Sequence, residues 1–346
     1  MAKEKIKEKL SKTAGNLGKG VSAGASAASD TVKKVTVKSK ETVEASQKAM
    51  LSVLDQDGNG QIDVVDIILM ALKVPGTRVN RADFLRKELF KNHPKKVVDK
   101  AIATTPAIAG IPREEVDKIV DEVIKFERNA VSGISVALGM PGGAAMVATI
   151  PADIAQYYGY MLRAAQKMLY MYGFPELIDS DDEVNLDTET INSLTLCLGI
   201  MNGVAGANNI IKGMSKALAT GVEKKLINAA LTKGAVYPIV KKVATWFGVK
   251  MTKEVFAGFF KKSIPVVGGV VGGGITYATF KPCCNRLKNV LEDTMLSNPE
   301  NHKETAEEQK VYEDIKNGVV YDVEEDELRE IDDEVDLVLT EDPNDN

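Results

Sequence analysis

Aromatic residues make up 5% of the 346-residue chain, which contains one Trp, two His and three Cys. The odd cysteine count, with Cys283 and Cys284 adjacent and no CxxC spacing, argues against a disulfide framework and against a zinc site. No HExxH, GxSxG or phosphate-loop lysine pattern occurs, and neither His93 nor His302 has a Cys or Ser in an activating arrangement. We therefore expect a non-catalytic protein.

The N-terminus also lacks a continuous apolar segment and a cleavage pattern, so we expect a cytoplasmic protein. Charge is distributed unevenly along the chain. Residues 1–50 carry eleven Lys against five acids, whereas residues 301–346 carry four basic residues against eighteen acids. These ends predict two solvated interaction arms. The basic arm, residues 1–42, favours disorder, with a thin amphipathic helix on anionic lipid as the alternative.

Residues 55–66, DQDGNGQIDVVD, match an EF-hand-like calcium loop. Gly60 stands at the sharp turn, and Ile62 is the apolar residue that holds the loop to a neighbour. Residues 44–54 and 64–72 are predicted to form the entering and exiting helices, the second ended by Pro75 and Gly76. The predicted metal ligands are Asp55, Asp57, Asn59, Gln61 (through its backbone carbonyl), Asp63 and Asp66.

The predicted cofactor is Ca²⁺, with Mg²⁺ as the alternative, because the final ligand, Asp66, is shorter than the usual Glu. Such loops normally occur in pairs. The other candidate, residues 179–190, has Val184 at the turn position, so we interpret it as a solvated acidic loop, with a degenerate second site as the alternative. An Asp at the last position is also found in dockerin modules, but the single loop and the absence of a signal sequence disfavour that class.

Three runs without a charged residue follow, at 129–152, 190–211 and 263–280. Each contains glycines at GxxxG spacing, which lets helix backbones approach closely. Their lengths would allow membrane spans. Breakers such as Pro141 and amides such as Asn202 favour buried helices of a soluble core instead, with a membrane-inserted or membrane-adsorbed form as the rival.

A polar stripe is predicted on a helix that begins at Pro151 and stops at Gly173 and Pro175. The simplest interpretation of this stripe is the solvated face of an amphipathic helix. The alternatives are a recognition face or an internal polar face, and an enzyme that uses Asp153, Tyr160 and Arg163 for acid–base chemistry. The residues of the stripe recur at helical spacing: Asp153, Gln156, Tyr160, Arg163, Lys167 and Tyr170.

Two segments, MPGGAAMVATIPADIAQYYGYMLRAAQKMLYMYG (140–173) and SIPVVGGVVGGGITYATFKPCCNRLKNVL (263–291), resemble the bacterial EcsC protein family. The resemblance covers residues 100–295 and implies a largely helical, membrane-associated domain with no established reaction. The calcium loop is an addition to the domain of that family. The positions that match the family pattern are Pro141, Gly142, Gly143, Pro151, Asp153, Arg163, Gly173, Pro265, Gly268 and Gly272.

Together these features predict an all-α protein, a compact multi-helix domain packed through Gly-rich helices and preceded by an EF-hand helix–loop–helix. The predicted function is a non-catalytic, Ca²⁺-binding interaction or regulatory module with a protein partner and no nucleic-acid partner. The alternative is a peripheral protein on the anionic inner face of the membrane. The predicted divisions are a basic arm (1–42), the hand (43–76), an EcsC-like domain (77–298) and an acidic tail (299–346).

Overall fold

The computed structural model describes residues 54–56, 58, 62–139, 146–178, 186–248 and 267–320. These residues belong to one compact unit, 53–346. The basic arm, most of the entering helix and residues 321–346 lie outside them. In chain order the helices are α1 (Val64–Leu72), α2 (Arg81–Leu89), α3 (Lys95–Ala103), α4 (Pro106–Ala109), α5 (Arg113–Gly139), α6 (Met146–Met171), α7 (Thr188–Asn202), α8 (Ala207–Ala219), α9 (Lys224–Lys233), α10 (237–248), α11 (Val267–Leu291) and α12 (Ala306–Lys316).

The all-α prediction is confirmed. Within the described ranges, regular structure is helical, and β pairing is limited to an isolated bridge between Gly234 and Val320. The exiting helix of the hand has the predicted bounds. Asp63 caps α1 by accepting hydrogen bonds from the N–H groups of Val65 and Asp66, which supplies acceptors for two of the unpaired donors at the helix start.

Helices α5 and α6 form an antiparallel pair at the centre of the fold. Cross-contacts link Asp117 to Tyr172, Glu127 to Arg163 and Ser135 to Asp153, so position rises along one helix as it falls along the other. The apolar row that joins them is a helical repeat of buried aliphatic side chains. On α5 the row consists of Val116, Val120, Val123, Ile124 and Val131.

Helix α11 packs antiparallel to α5 and also contacts α6, where the hydroxyl groups of Tyr157 and Thr279 lie 3.2 Å apart. Lys288 donates to Asp121 at one end, and Thr276 donates to Ser135 at the other. Helix α7 lies against α11 and is buried almost throughout from Asn192 to Met201. Helix α12 packs on α8 through Tyr312 and Ile315, so this part of the predicted acidic tail is an ordered helix of the domain.

The uncharged run 190–211 is buried along most of α7, where Leu194, Leu196 and Leu198 have no exposed surface, and it alternates between buried and exposed residues from 202 to 211. The run 263–280 is mixed where it is described: Thr276 and Phe280 are buried, whereas Ile275 and Tyr277 are half exposed. Among the described residues, no helix combines the length and apolar character that crossing a membrane requires.

The predicted start of the stripe helix is wrong. Helix α6 begins at Met146, so Pro151 lies in its second turn rather than at the first helical position. A proline there gives up one backbone hydrogen bond, to the carbonyl four residues earlier, and the helix continues. The predicted end is confirmed, because α6 ends at Met171 and Gly173 adopts a left-handed φ of 94°.

Candidate functional site

The two ends of the 55–66 loop meet at Asp66. Its carboxylate has no exposed surface, and its two oxygens accept hydrogen bonds from the backbone N–H groups of Gln56 (2.6 Å) and Asp63 (2.9 Å). Asp55 accepts from the N–H of Gly58 at 2.7 Å, where Gly58 adopts a φ of 75°. The chain therefore folds back on itself with carboxylates at its start and its end, as a cation-binding loop requires.

Three of the six predicted ligands, Asp55, Asp63 and Asp66, are described, whereas Asp57, Asn59 and Gln61 lie outside the described residues. Asp63 is half buried and engaged as the cap of α1. In the part of the chain that the structure describes, no three His, Cys, Asp or Glu side chains form a group that could hold a metal ion. The predicted site thus depends on the undescribed middle of the loop for its remaining oxygens.

The alternative second site falls largely on residues 179–185, which lie outside the described ranges. Asp187 is the N-cap of α7 and accepts from the N–H of Thr190 at 2.7 Å. The C-terminal end of this stretch, from Thr188, therefore belongs to a helix rather than to the predicted loop.

Helix α1 packs against α6 at Gly159, where α6 has no side chain. Ile67, Ile68 and Ala71 have no exposed surface, and a Cβ placed on Gly159 of α6 would lie 3.1 Å from the carbonyl oxygen of Ala71. The same Cβ would lie 3.1 Å from Val74 Cβ. Because such distances are shorter than ordinary van der Waals contact, the loop's exit helix and α6 approach as closely as backbones allow.

Gln166 fixes the chain that leaves α1. Its fully buried side-chain amide donates to the carbonyl of Thr77 (2.8 Å) and accepts from the N–H of Val79 (3.1 Å). At the other end of the loop, the Lys73 ammonium donates to the side-chain oxygen of Gln56. The 55–66 loop is therefore tied to α6 through helix α1 and the turn that follows it.

Arg81 continues this attachment at the start of α2. Its guanidinium donates to the carbonyls of Phe174 (2.9 Å), Ile102 (2.7 Å) and Thr104 (3.0 Å). Burial lowers the pKa of this guanidinium from its ordinary value. An arginine side chain nevertheless keeps its charge in proteins. A permanently charged group thus joins the end of α6 to α3, and it has a structural role.

The polar stripe of α6 faces α5 and the hand rather than open water. Asp153 accepts a hydrogen bond from Ser135 of α5 at 2.7 Å, and Ser135 in turn accepts from Thr276 of α11 at 3.2 Å. The Tyr170 hydroxyl accepts from the N–H of Leu177, and burial raises the pKa of Tyr170. These contacts favour the internal polar face among the predicted alternatives.

Glu127 of α5 is the residue that the sequence reasoning missed. It is fully buried, and Arg163 Nε (2.8 Å) and Lys167 Nζ (2.7 Å) donate to its two carboxylate oxygens. The guanidinium of Arg163 also lies 4.0 Å from the ring centre of Tyr160, and Gly76 at the end of the hand sits against it. Two cations around one buried carboxylate compensate for its loss of water.

A signal for Glu127 was present in the sequence. At helical spacing it follows Val120 and Val123 and precedes Val131, so it occupies a position where the apolar row of α5 calls for an aliphatic side chain. An acid in such a row predicts a buried ion pair.

The side chain of His302 lies inside the fold. Its side chain is 4% exposed; its Nε2 lies 2.7 Å from Oε1 of the fully buried Glu308, and its Nδ1 lies 3.7 Å from Asp293. This cluster joins α12 to the turn after α11 and to α8, because Lys212 donates to Asp293 at 2.8 Å. His93 pairs with Glu115 at 2.9 Å.

Comparisons with known proteins returned no family model, no curated protein and no solved structure that matches this chain. The resemblance to the EcsC family therefore stays a prediction that rests on the two quoted segments.

Proposed function

We propose that the protein is a non-catalytic regulatory or interaction module in which a divalent cation at the 55–66 loop controls how firmly helix α1 is held on the helical body. The cation is Ca²⁺, with Mg²⁺ as the competitor. Its ligands are the oxygens of Asp55, Asp57, Asn59, Gln61, Asp63 and Asp66.

The observation that supports this proposal most strongly is the arrangement around Asp66. Both oxygens of this buried carboxylate accept backbone hydrogen bonds, so the carboxylate at the last ligand position of the loop is held in place before an ion binds. A cation would therefore gain a fixed ligand without the cost of ordering it.

The route by which the cation would act runs through α1. The loop ends where α1 begins, α1 packs on Gly159, and the turn after α1 contacts Gln166 and Arg163. A ligand that binds only the closed loop stabilises every contact that depends on it. We infer that α1 still packs on α6 in the metal-free protein but is held there less firmly.

Calorimetric titration of Ca²⁺ and Mg²⁺ into the metal-stripped full chain tests the proposal. Asp55→Ala should weaken binding by about tenfold or more, since one charged ligand is lost. The matched control is Asp83→Ala, because Asp83 is an exposed acid on α2 whose side-chain partner is Arg86. Equal heats for wild type and Asp55→Ala would end the assignment of a metal site.

The cytoplasmic placement and the protein partner remain part of the proposal, with the anionic membrane surface as the rival partner. The lysine-rich arm, residues 1–42, supports that rival. Flotation of the full chain and of a chain without residues 1–42 on anionic vesicles separates the two. Absence of the full chain from the vesicle fraction would remove the membrane alternative.

The EcsC-like assignment of residues 77–298 is likewise a proposal. An enzyme that uses Asp153, Tyr160 and Arg163 is the less favoured one, because Ser135 and Glu127 already engage two of these side chains and Arg163 stacks on the third.

A further inference from the structure

A cavity of about 600 Å³ lies between residues 169–178, at and just after the end of α6, and helices α7, α8 and α9. Its walls are mainly aliphatic side chains from four separate segments. The residues that form them include Leu169, Leu196, Ile211, Met214, Ile227 and Leu231. Each of these is buried or nearly so, which shows that the cavity reaches into the core rather than lying on its surface.

The size and lining of this cavity are those of a ligand site. The volume is that of about 20 water molecules at about 30 Å³ each, far more than the small packing voids that domains tolerate. Ligand sites for small molecules have volumes of about 300–1,000 Å³ and mostly apolar walls. An apolar occupant would remove the aliphatic part of these walls from water, which favours its binding.

The hydroxyl groups on the wall are already used within the protein. Ser193 donates to the carbonyl of Glu189 at 2.8 Å, and Thr190 donates to the carbonyl of Leu177 at 3.2 Å. The Cys197 thiol faces the same space, and burial raises its pKa to about 12, so it stays uncharged. Apart from the amide of Asn228, which also lines the cavity, the inner wall therefore suits a hydrocarbon chain.

The charged groups lie at the outer edge. Glu176, Asp187 and Glu189 contribute three carboxylates, and Lys224 contributes one ammonium. Glu176 also accepts from the N–H of Arg81, and Asp187 caps α7, so both carboxylates are held in place. Because the Arg81 guanidinium also interacts with Glu176, three carboxylates face two cations, which leaves one net negative charge at this edge. That charge disfavours an anionic head group and favours a cationic one.

We propose that this cavity binds a single-chain amphiphile with a cationic head group. The hydrocarbon chain lies between α7, α8 and α9, and the head group lies beside Asp187 and Glu189. The site shares no residue with the 55–66 loop, so it stands independently of the proposed metal function.

Titration calorimetry of the full chain with decyltrimethylammonium, below its micelle concentration, tests the proposal. Decanoate has a chain of the same length and the opposite head-group charge. We expect the ammonium compound to bind about tenfold more tightly than decanoate. Equal affinities, or tighter binding of decanoate, would overturn the head-group assignment.

Two pairs of variants locate the site. Leu218 lines the cavity and is only partly buried, so Leu218→Trp should fold and fill the space, whereas Leu218→Ala should enlarge it. Binding lost in the first and kept in the second is the expected result. Unchanged affinity in Leu218→Trp would place binding elsewhere; Met214→Phe gives the same test if Leu218→Trp does not fold.

The second pair concerns charge. Asp187→Asn keeps a good capping residue at the start of α7 and removes one rim charge. This variant should bind the ammonium compound about threefold more weakly than wild type does. Its affinity for decanoate should be unchanged or slightly higher. The control is Glu114→Gln, because Glu114 is an exposed acid on α5. This substitution should change the affinity for neither compound. If neither compound binds the wild-type chain, the cavity is not a site for amphiphiles.

Discussion

The carboxylate of Glu127 accepts a hydrogen bond of 2.8 Å from Nε of Arg163, and the two residues lie on adjacent antiparallel helices. Glu127 is fully buried, while the Arg163 side chain is 15% exposed. Removing the cation would leave a buried carboxylate with only Lys167 to neutralise it.

Arg163→Ala should therefore lower the free energy of unfolding by about 3–5 kcal/mol. Replacing Glu127, Arg163 and Lys167 together by Leu or Met should recover most of that loss, because the desolvation cost disappears with the charges. Urea unfolding followed by circular dichroism measures both. A loss below about 1 kcal/mol in Arg163→Ala would show that the pair contributes no more than a surface ion pair.

The backbone hydrogen bonds of Asp66 give a prediction that needs no metal. Asp66→Ala leaves the N–H groups of Gln56 and Asp63 without their acceptor and removes half of the capping box of α1. In the presence of a chelator the variant should be less stable by about 1–3 kcal/mol. Equal stability of the two proteins in chelator would show that Asp66 has no structural role apart from a metal.

Asp66→Glu tests the choice of ion at the same position. A longer side chain reaches the ion with both oxygens, so Ca²⁺ should bind more tightly while Mg²⁺, which prefers six ligands at short range, should not. The ratio of the two affinities, from calorimetry, should rise by about tenfold. An unchanged ratio would mean that residue 66 does not coordinate the ion.

The packing of α1 on α6 can be tested by replacing each of two helical glycines with alanine. Gly159→Ala places a methyl group 3.1 Å from Ala71, Val74 and Thr77. We expect the overpacking cost of about 1–3 kcal/mol to exceed the gain of about 0.5–1 kcal/mol from replacing a helical glycine. Gly133 of α5 has no atom within 4 Å of its added Cβ, so Gly133→Ala should stabilise by about 0.5–1 kcal/mol. Unfolding midpoints that move in the same direction for both variants would contradict the close approach of α1.

The buried thiol of Cys197 should make the stability of the folded protein depend on pH. Burial raises its pKa to about 12, so the folded protein keeps the thiol proton while the unfolded chain loses it above about pH 8.5. Stability from this group is present below the unfolded pKa and falls as the pH rises above it. At about pH 10 the loss amounts to roughly 2 kcal/mol.

The control for that effect is Cys197→Ala, whose stability should fall less between about pH 7.5 and pH 10. Cys284, whose pKa burial also raises, is present in both proteins and cancels in the comparison. Identical pH profiles would show that Cys197 does not titrate as its burial requires.

The sequence was sufficient for elements whose signals are local. The bounds of α1 follow from the apolar run after Asp63 and from Pro75 and Gly76, and the structure reproduces them. The end of α6 follows in the same way from Gly173. Each of these signals acts within one or two helical turns of the residue that carries it.

The start of α6 and the role of its polar stripe could not be obtained locally. Pro151 suits the first turn of a helix, where no backbone hydrogen bond is lost, yet α6 begins at Met146 and carries this proline in its second turn. The partner of Arg163 is Glu127, 36 residues earlier. Periodicity identifies the face of a helix but not the residue on the opposing helix that meets it.

The glycine at 159 also bears on how the protein can be divided experimentally. A fragment that ends after the hand, at residue 76, would expose the apolar face of α1 and lose the surface that α6 provides for it. A nine-residue helix is marginal by itself in water. The 55–66 loop is thus one end of a longer cooperative unit, and its proposed metal affinity is a property to be measured on the whole chain.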